Sequence, residues 1–363
     1  MKVLFAGRYN ESENLSGPEK VAKRIFQQFT SEENSVFAEY FFDGRKYSLF
    51  KKLFGSEEVL KINDSEVCRF GIFKMLISLF KLKPEVIHII NYERFAVVCF
   101  LYKIFSNVRI IYNVHGIISF ENKNLNDAGK LYELKDKICE TIYLKYSDKL
   151  IFLSERSLAL CNNYTTINND KVEFIPNGID EAFHDCGENK LINFNEPLSI
   201  VFAGDESRKE KGFEFFIRSL SETEIKLNVY LIGRYNHPFS LKNDNFNFYV
   251  IDRMDTKKFA LFLKNKDVFI SASSYEQFSI TATEAMAAGL IPIVTAETGM
   301  SSYIKNSING FIINYGDSVK LNDCLVKINS ERNLLLNVSG NARKIFSELS
   351  WDIVFKRYRT IYE

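Results

Sequence analysis

The sequence has no surplus of charge of either sign: 47 Lys and Arg stand against 46 Asp and Glu, a formal net charge of +1. That excludes the strongly basic composition by which nucleic-acid-binding chains neutralise phosphate. Six cysteines (Cys68, Cys99, Cys139, Cys161, Cys186, Cys324) include no Cys-x-x-Cys pair and no His at ligand spacing. Neither a zinc site nor a disulfide framework is indicated, and the thiols are expected to be the reduced ones of a cytoplasmic protein. The longest unbroken apolar run, residues 95–102, falls far short of the roughly 20 residues that span a bilayer. Nor does the start resemble a signal peptide, because Met1 to Gly7 reads as a strand running into a polar loop, so synthesis and residence in the cytoplasm are expected. Repeats and low-complexity tracts are absent.

What is present is an alternation of short apolar strands with amphipathic helices, the pattern of parallel sheets covered on both faces. At 363 residues the chain exceeds the size at which one core keeps growing, so two domains are expected. Strands are predicted over 2–6, 36–42, 86–90, 109–114, 149–153 and 172–175, and a second series over 198–203, 229–232, 248–251, 267–271 and 290–294. Between them, residues 180–196 lose periodicity and fill with Asp, Glu, Asn and Gly, which reads as a linker. The predicted domains are 1–185 and 186–345, followed by a terminal helix, 346–363, with apolar residues at helical spacing.

Ligands of open parallel sheets collect outside the C-terminal strand ends, so residues just after strands are the candidates for chemistry. After the first strand, Gly17 with Pro18 at a helix start offers a loop that lets backbone approach a ligand, or simply a surface turn. His115 ends the strand 109–114 and precedes Gly116; His88, mid-strand, suits core packing. Lys211 and Arg208 belong to the basic loop Arg208-Lys209-Glu210-Lys211-Gly212, which is either a phosphate-binding loop or a solvated cluster. Arg253 follows the strand 248–251. Glu276 and Glu284 bracket Glu276-Gln277-Phe278-Ser279-Ile280-Thr281-Ala282-Thr283-Glu284, between a strand and a small-residue helix ending at Gly289. A helix starting near Phe278 presents unpaired N–H groups and partial positive charge, which suits a phosphate lying between the two acids. A nucleotide diphosphate carrying a sugar fits that layout.

The spacing of the two acids resembles the Glu-x7-Glu signature of retaining glycosyltransferases with the GT-B fold, specifically family 4, which builds bacterial surface glycans among other products. Val201-Phe202-Ala203-Gly204 followed by Lys211-Gly212, Phe174-Ile175-Pro176-Asn177-Gly178-Ile179-Asp180, and Asn309-Gly310-Phe311 before Tyr315-Gly316-Asp317 are similar to further family segments. The likeness spans nearly the whole chain and is densest over residues 174–317. It implies a GT-B architecture: two Rossmann-like, doubly wound parallel-sheet domains facing a cleft, the first on the acceptor side, the second binding the nucleotide sugar, with the terminal helix crossing back. It implies transfer of a sugar, with retention of configuration, from a nucleotide diphosphate donor to a glycan or lipid-linked acceptor in surface polysaccharide synthesis.

By the same resemblance His115, Glu276 and Lys211 are the catalytic candidates, with His115 at the donor sugar or its reaction centre and Glu276 at the sugar. Glu284 would bind the ribose, Lys211 the diphosphate, and backbone around Phe278 and Ser279 would lie near the phosphates. Gly17, Arg208 and Arg253 complete the binding set, Arg253 at the base. Two positions depart from the pattern: Pro18 stands where a second glycine is common, and Asp205 where related enzymes have a diphosphate-binding Arg, for which Arg208 is the candidate substitute. No metal or cofactor is implied, since no Asp-x-Asp pattern is present. The rival readings are a dinucleotide-dependent oxidoreductase, which lacks its Gly-x-Gly-x-x-Gly turn here, and a non-catalytic partner subunit of the same fold. Finally, residues 45–54 mix four basic residues with Leu and aromatic side chains, which suits either attachment to an anionic membrane surface or a helix packed on the sheet.

Overall fold

The computed structural model describes residues 1–9, 17–30, 36–40, 47–62, 65–124, 129–188, 196–235 and 245–363. The chain forms two compact α/β units. The first comprises residues 1–153, 158–175 and 355–363, the second 154–157 and 176–354.

In the first unit eight strands form one sheet: β1 (Val3–Ala6), β2 (Val36–Tyr40), β3 (Ser56–Ile62), β4 (Ser65–Phe70), β5 (Val86–Ile89), β6 (Arg109–Val114), β7 (Lys149–Phe152) and β8 (Val172–Phe174), ordered β3-β4-β2-β1-β5-β6-β7-β8. Central strands are largely apolar because helices cover both faces; every residue of β1 and β5 is buried, the polar His88 included. The pairings are parallel except β3 with β4, an antiparallel edge with an irregularity between Glu58 and Leu60. Sequence reading misses these two strands because Ser56–Ile62 and Ser65–Phe70 mix charged with apolar residues, with neither an apolar run nor a strict alternation. The accompanying helices are α1 (Gly17–Thr30), α2 (Leu49–Phe54), α3 (Ile72–Leu82), α4 (Val97–Ile104), α5 (Ile118–Asn124), α6 (Lys130–Tyr146) and α7 (Glu155–Asn162). Strand order reverses between β1 and β5, which opens a crevice at their C-terminal ends.

The second unit carries a parallel sheet of six strands, β9 (Leu198–Ala203), β10 (Leu227–Ile232), β11 (Phe246–Ile251), β12 (Val268–Ser271), β13 (Ile291–Thr295) and β14 (Phe311–Ile313), ordered β11-β10-β9-β12-β13-β14. Here the reversal falls between β9 and β12. Its helices are α8 (Glu181–Gly187), α9 (Phe213–Ser221), α10 (Thr256–Leu263), α11 (Ile280–Ala287), α12 (Ser318–Ser330), α13 (Asn333–Arg343) and α14 (Phe346–Leu349). Helix α8 corrects the reading of 180–196 as an unstructured linker; residues 189–195 lie outside the described residues. The polar composition hid the spacing of Phe183 and Cys186, one turn apart and both buried, with the Phe183 ring 6.0 Å from Phe259 of α10.

The last helix, α15 (Trp351–Tyr362), gives its first residues to the second unit and residues 355–363 to the first. Within the first unit the Tyr362 hydroxyl meets His88 Nδ1 at 2.7 Å, His88 Nε2 meets Asn113 Oδ1 at 2.9 Å, and Asn113 Nδ2 donates to the Tyr358 hydroxyl at 2.9 Å. All four side chains are buried, so each polar atom here needs the others. No helix among the described residues is long and apolar enough to cross a membrane.

Candidate active site

Parallel strands open their carbonyl ends on one edge. In the second unit that edge collects Gly204 and Asp205 after β9, Gly233 and Arg234 after β10, Arg253 after β11, Glu276 after β12 and Glu297 after β13. A short 3₁₀ turn, Lys209–Lys211, is followed by Gly212 with φ +72°, where a Cβ would lie 1.9 Å from the Ala272 carbonyl oxygen. Only glycine fits. That close approach pins the turn to the end of β12, and the Lys211 ammonium forms an ion pair with Glu276 Oε1. Both side chains are only 15% exposed, so Lys211 is not part of a solvated cluster.

Glu276 has further partners: the Ser273 hydroxyl donates to its Oε2 at 2.9 Å and that of Ser271 at 3.3 Å. Burial pushes the Glu276 carboxyl up, but the charge and hydrogen bond of Lys211, with Ser273, outweigh it and hold it below the ordinary carboxylate range. Its backbone is fixed as well, since Gly299 N donates to the Glu276 carbonyl at 2.9 Å.

Asp205 ties three loops together. Its Oδ1 accepts from Arg234 N at 3.0 Å and its Oδ2 from Arg253 Nη2 at 2.5 Å. Arg208 pairs at 2.5 Å with Glu210, whose carbonyl accepts from Ser274 N at 2.8 Å. Helix α11 begins at Ile280, two residues later than the sequence suggests. Phe278 is core, 2% exposed and edge-on to Tyr303 at 5.8 Å, and Ser279 takes a left-handed backbone (φ +72°, ψ 78°) to turn the chain into the helix. Glu284, on α11, is buried.

The first unit has a cavity of about 240 Å³ at the C-terminal ends of β1, β5 and β6, lined among others by Arg8, Pro18, Asn91, Glu93, His115 and Glu121. Arg8 and Glu93 pair at 2.9 Å. Burial lowers the His115 pKa to about 4 against a hydrogen bond from its ring to the Ile90 backbone, leaving the imidazole neutral at pH 7. Among the described residues its buried Nε2 has no hydrogen-bond partner, nor has Asn91 Oδ1. A neutral ring whose other nitrogen binds a backbone carbonyl presents Nε2 as an acceptor, the group that receives a hydroxyl proton. Behind the cavity, Asp136 takes Arg94 at 2.5 and 2.7 Å, the Tyr92 hydroxyl at 2.8 Å and Asn122 at 2.7 Å, while Glu140 accepts from Ile118 N at 2.7 Å and so fixes the loop that carries His115.

Two family profiles divide the chain between them: Glycosyltransferase Family 4 matches residues 61–183 and Glycosyl transferases group 1 matches residues 188–345. The chain belongs to the family 4 GT-B glycosyltransferases. This membership sets aside the oxidoreductase reading. The glycosyltransferase is 26% identical over 282 residues to an uncharacterised glycosyltransferase of Methanocaldococcus jannaschii, covering 71% of each chain. It is 25% identical over 296 residues to the Escherichia coli UDP-Gal:alpha-D-GlcNAc-diphosphoundecaprenol alpha-1,3-galactosyltransferase, covering 74% of this chain and 73% of that one. Among solved structures, sucrose-phosphate synthase from Thermosynechococcus elongatus superposes with a TM-score of 0.75 at 14% identity, covering 99% and 98% of the two chains. Anabaena HepE in complex with UDP-glucose gives 0.71 at 16% identity, covering 99% of each.

In the glycosyltransferase the sequence-selected residues fall into two groups. Lys211, Glu276, Ser279, Glu284, Arg208 and Arg253 lie at or next to the open edge of the second sheet, and Lys211 meets Glu276 directly. His115 lines the cavity of the first unit with Pro18, next to Gly17, while residues 10–16 lie outside the described ones. The Phe278 side chain packs in the core, and the helix start belongs to Ser279 and Ile280. Arg208 and Arg253 are each paired with an acid, Glu210 and Asp205. Sequence reasoning missed Asn91, Glu93 and Glu121 of the cavity and Ser273 beside Glu276. The strand-end rule that selected His115 applies equally to Asn91 and Glu93 after β5.

Proposed function

We propose that the enzyme transfers a sugar, with retention of configuration, from a nucleotide diphosphate donor to a glycan or lipid-linked acceptor in surface polysaccharide synthesis, on the cytoplasmic side of a membrane. The observation that carries this reading is the Lys211–Glu276 pair at the switch between β9 and β12, beside the start of α11. A fixed ammonium and a helix N-terminus at one strand edge suit a diphosphate leaving group whose charge grows in the transition state. Glu276 would hydrogen-bond the sugar, Glu284 the ribose, and neutral His115 would accept from a hydroxyl of the sugar. The activity for which the Escherichia coli relative is named, on a diphosphoundecaprenol-linked acceptor, and the UDP-glucose complex of HepE support the donor and acceptor classes.

Thermal unfolding with a panel of nucleoside diphosphates and their sugar conjugates tests the reading. A diphosphate at about a hundred times its Kd adds about 2.7 kcal/mol of stability, and one base should outrank the others. No shift with any member of the panel at millimolar concentration would sink the donor assignment.

A further inference from the structure

Helix α3 is apolar on two faces. Met75 and Leu79 are buried against the sheet, as an amphipathic helix requires, yet Phe73, Ile77 and Phe80, at the i, i+4 and i+7 positions of another face, are 47%, 48% and 46% exposed. Its neighbours continue that surface. In α2, Phe50 is 73% exposed and Phe54 47%; at the end of α4, Phe105 is 74% exposed. The rings run on from helix to helix: Phe50 to Phe54 at 5.4 Å, Phe54 stacked on Phe73 at 5.2 Å, and Phe80 to Phe105 at 6.4 Å. Aromatic surface that runs across three adjacent helices is the kind that marks an interaction site.

The charge on this layer has one sign. Residues 47–56, 71–84 and 95–110, which contain the three helices, hold six lysines (Lys51, Lys52, Lys74, Lys81, Lys83, Lys103) and no Asp or Glu, in a chain whose net charge is +1. Among the described residues, Glu57 pairs with Lys51 at 3.5 Å and Asp148 with Lys103, both from outside these segments. Exposed aromatics interleaved with lysines match a bilayer surface, in which rings sit at headgroup depth and ammonium groups face anionic lipid.

We propose that the outer face of α2, α3 and α4 docks the first unit onto an anionic lipid bilayer. It extends the segment at 45–54, of which residues 45 and 46 lie outside the described ones, to a three-helix surface. It rests on the membrane location in the proposed function, but its test needs neither donor nor acceptor and so fails separately from the sugar-transfer reading.

The experiment is co-sedimentation of the full chain with vesicles of phosphatidylcholine alone or with phosphatidylglycerol. Binding is expected to rise with phosphatidylglycerol and fall with salt. Replacing Lys51, Lys52, Lys81 and Lys83 by Gln should weaken partition by roughly fivefold per lysine, on the scale of one juxtamembrane charge each. Phe50→Ser, at a side chain largely in solvent, should weaken it at least about tenfold with an unchanged melting temperature. Binding indifferent to phosphatidylglycerol, or retained by both variants, would overturn the assignment. So would the absence of vesicle binding together with a dimer that Phe50→Ser dissociates, which would give the face to a second copy of the chain.

Discussion

Lys211 and Glu276 show what a single contact decides. Sixty-five positions separate them in sequence, so the acids 276 and 284 could be recognised from spacing along one helix start, whereas the partner of Glu276 could not. With both side chains 15% exposed, removing either leaves a largely desolvated charge, which costs up to about 3–5 kcal/mol in a fully buried pair and less here. The division of roles proposed for the acids can be separated by titration. Glu284→Gln should weaken free nucleoside diphosphate binding along with turnover, because a charge-assisted bond to the ribose is lost. Glu276→Gln should reduce turnover while leaving free-nucleotide affinity within about twofold, since its proposed partner is the sugar. Equal loss of nucleotide affinity in calorimetry of the two variants would contradict that division.

Strands were legible where they form apolar runs, even partly exposed ones such as β8 and β11. Central strands such as β1, β9 and β12 show as apolar runs because helices cover both faces, while the edge strand β3 and its neighbour β4, and α8 with its polar composition, did not show. The turn before α9 is set by tertiary contact, invisible to local pattern: Gly212 has φ +72° and no room for a Cβ, whereas Gly316, at φ +89°, has nothing within 4 Å of one. Alanine at Gly316 should therefore cost only the left-handed backbone penalty, about 1–2 kcal/mol. Gly212→Ala should cost at least about 2 kcal/mol more and displace Lys211, with a matching fall in turnover. Equal denaturation midpoints for the two variants would mean that the turn does not hold the lysine in place.

At the scale of the molecule, His88 links stability to pH. Burial lowers its pKa to about 4 despite the hydrogen bond its ring donates to Asn113 Oδ1, against 6.5 for the unfolded chain. The unfolded state thus binds the extra proton between those values. Stability is fully present above about pH 6.5 and falls as pH drops toward 4, by about 2–3 kcal/mol at pH 4.5 from this group alone. Denaturant titrations at pH 7 and 4.5 should show that loss shrinking by a similar amount in His88→Gln; an unchanged difference would assign the acid sensitivity elsewhere. The same histidine also bears on biosynthesis. Its partner Tyr362 lies 274 positions further along the chain, yet Tyr358 and Tyr362 fill the core beside β1 and β5, among the first strands to be translated. The second unit, continuous from 176 to 354 but for four residues, is complete in sequence before the first. The unit whose strands are translated first therefore completes its core only once residues 355–362 have been made, after the whole of the second unit.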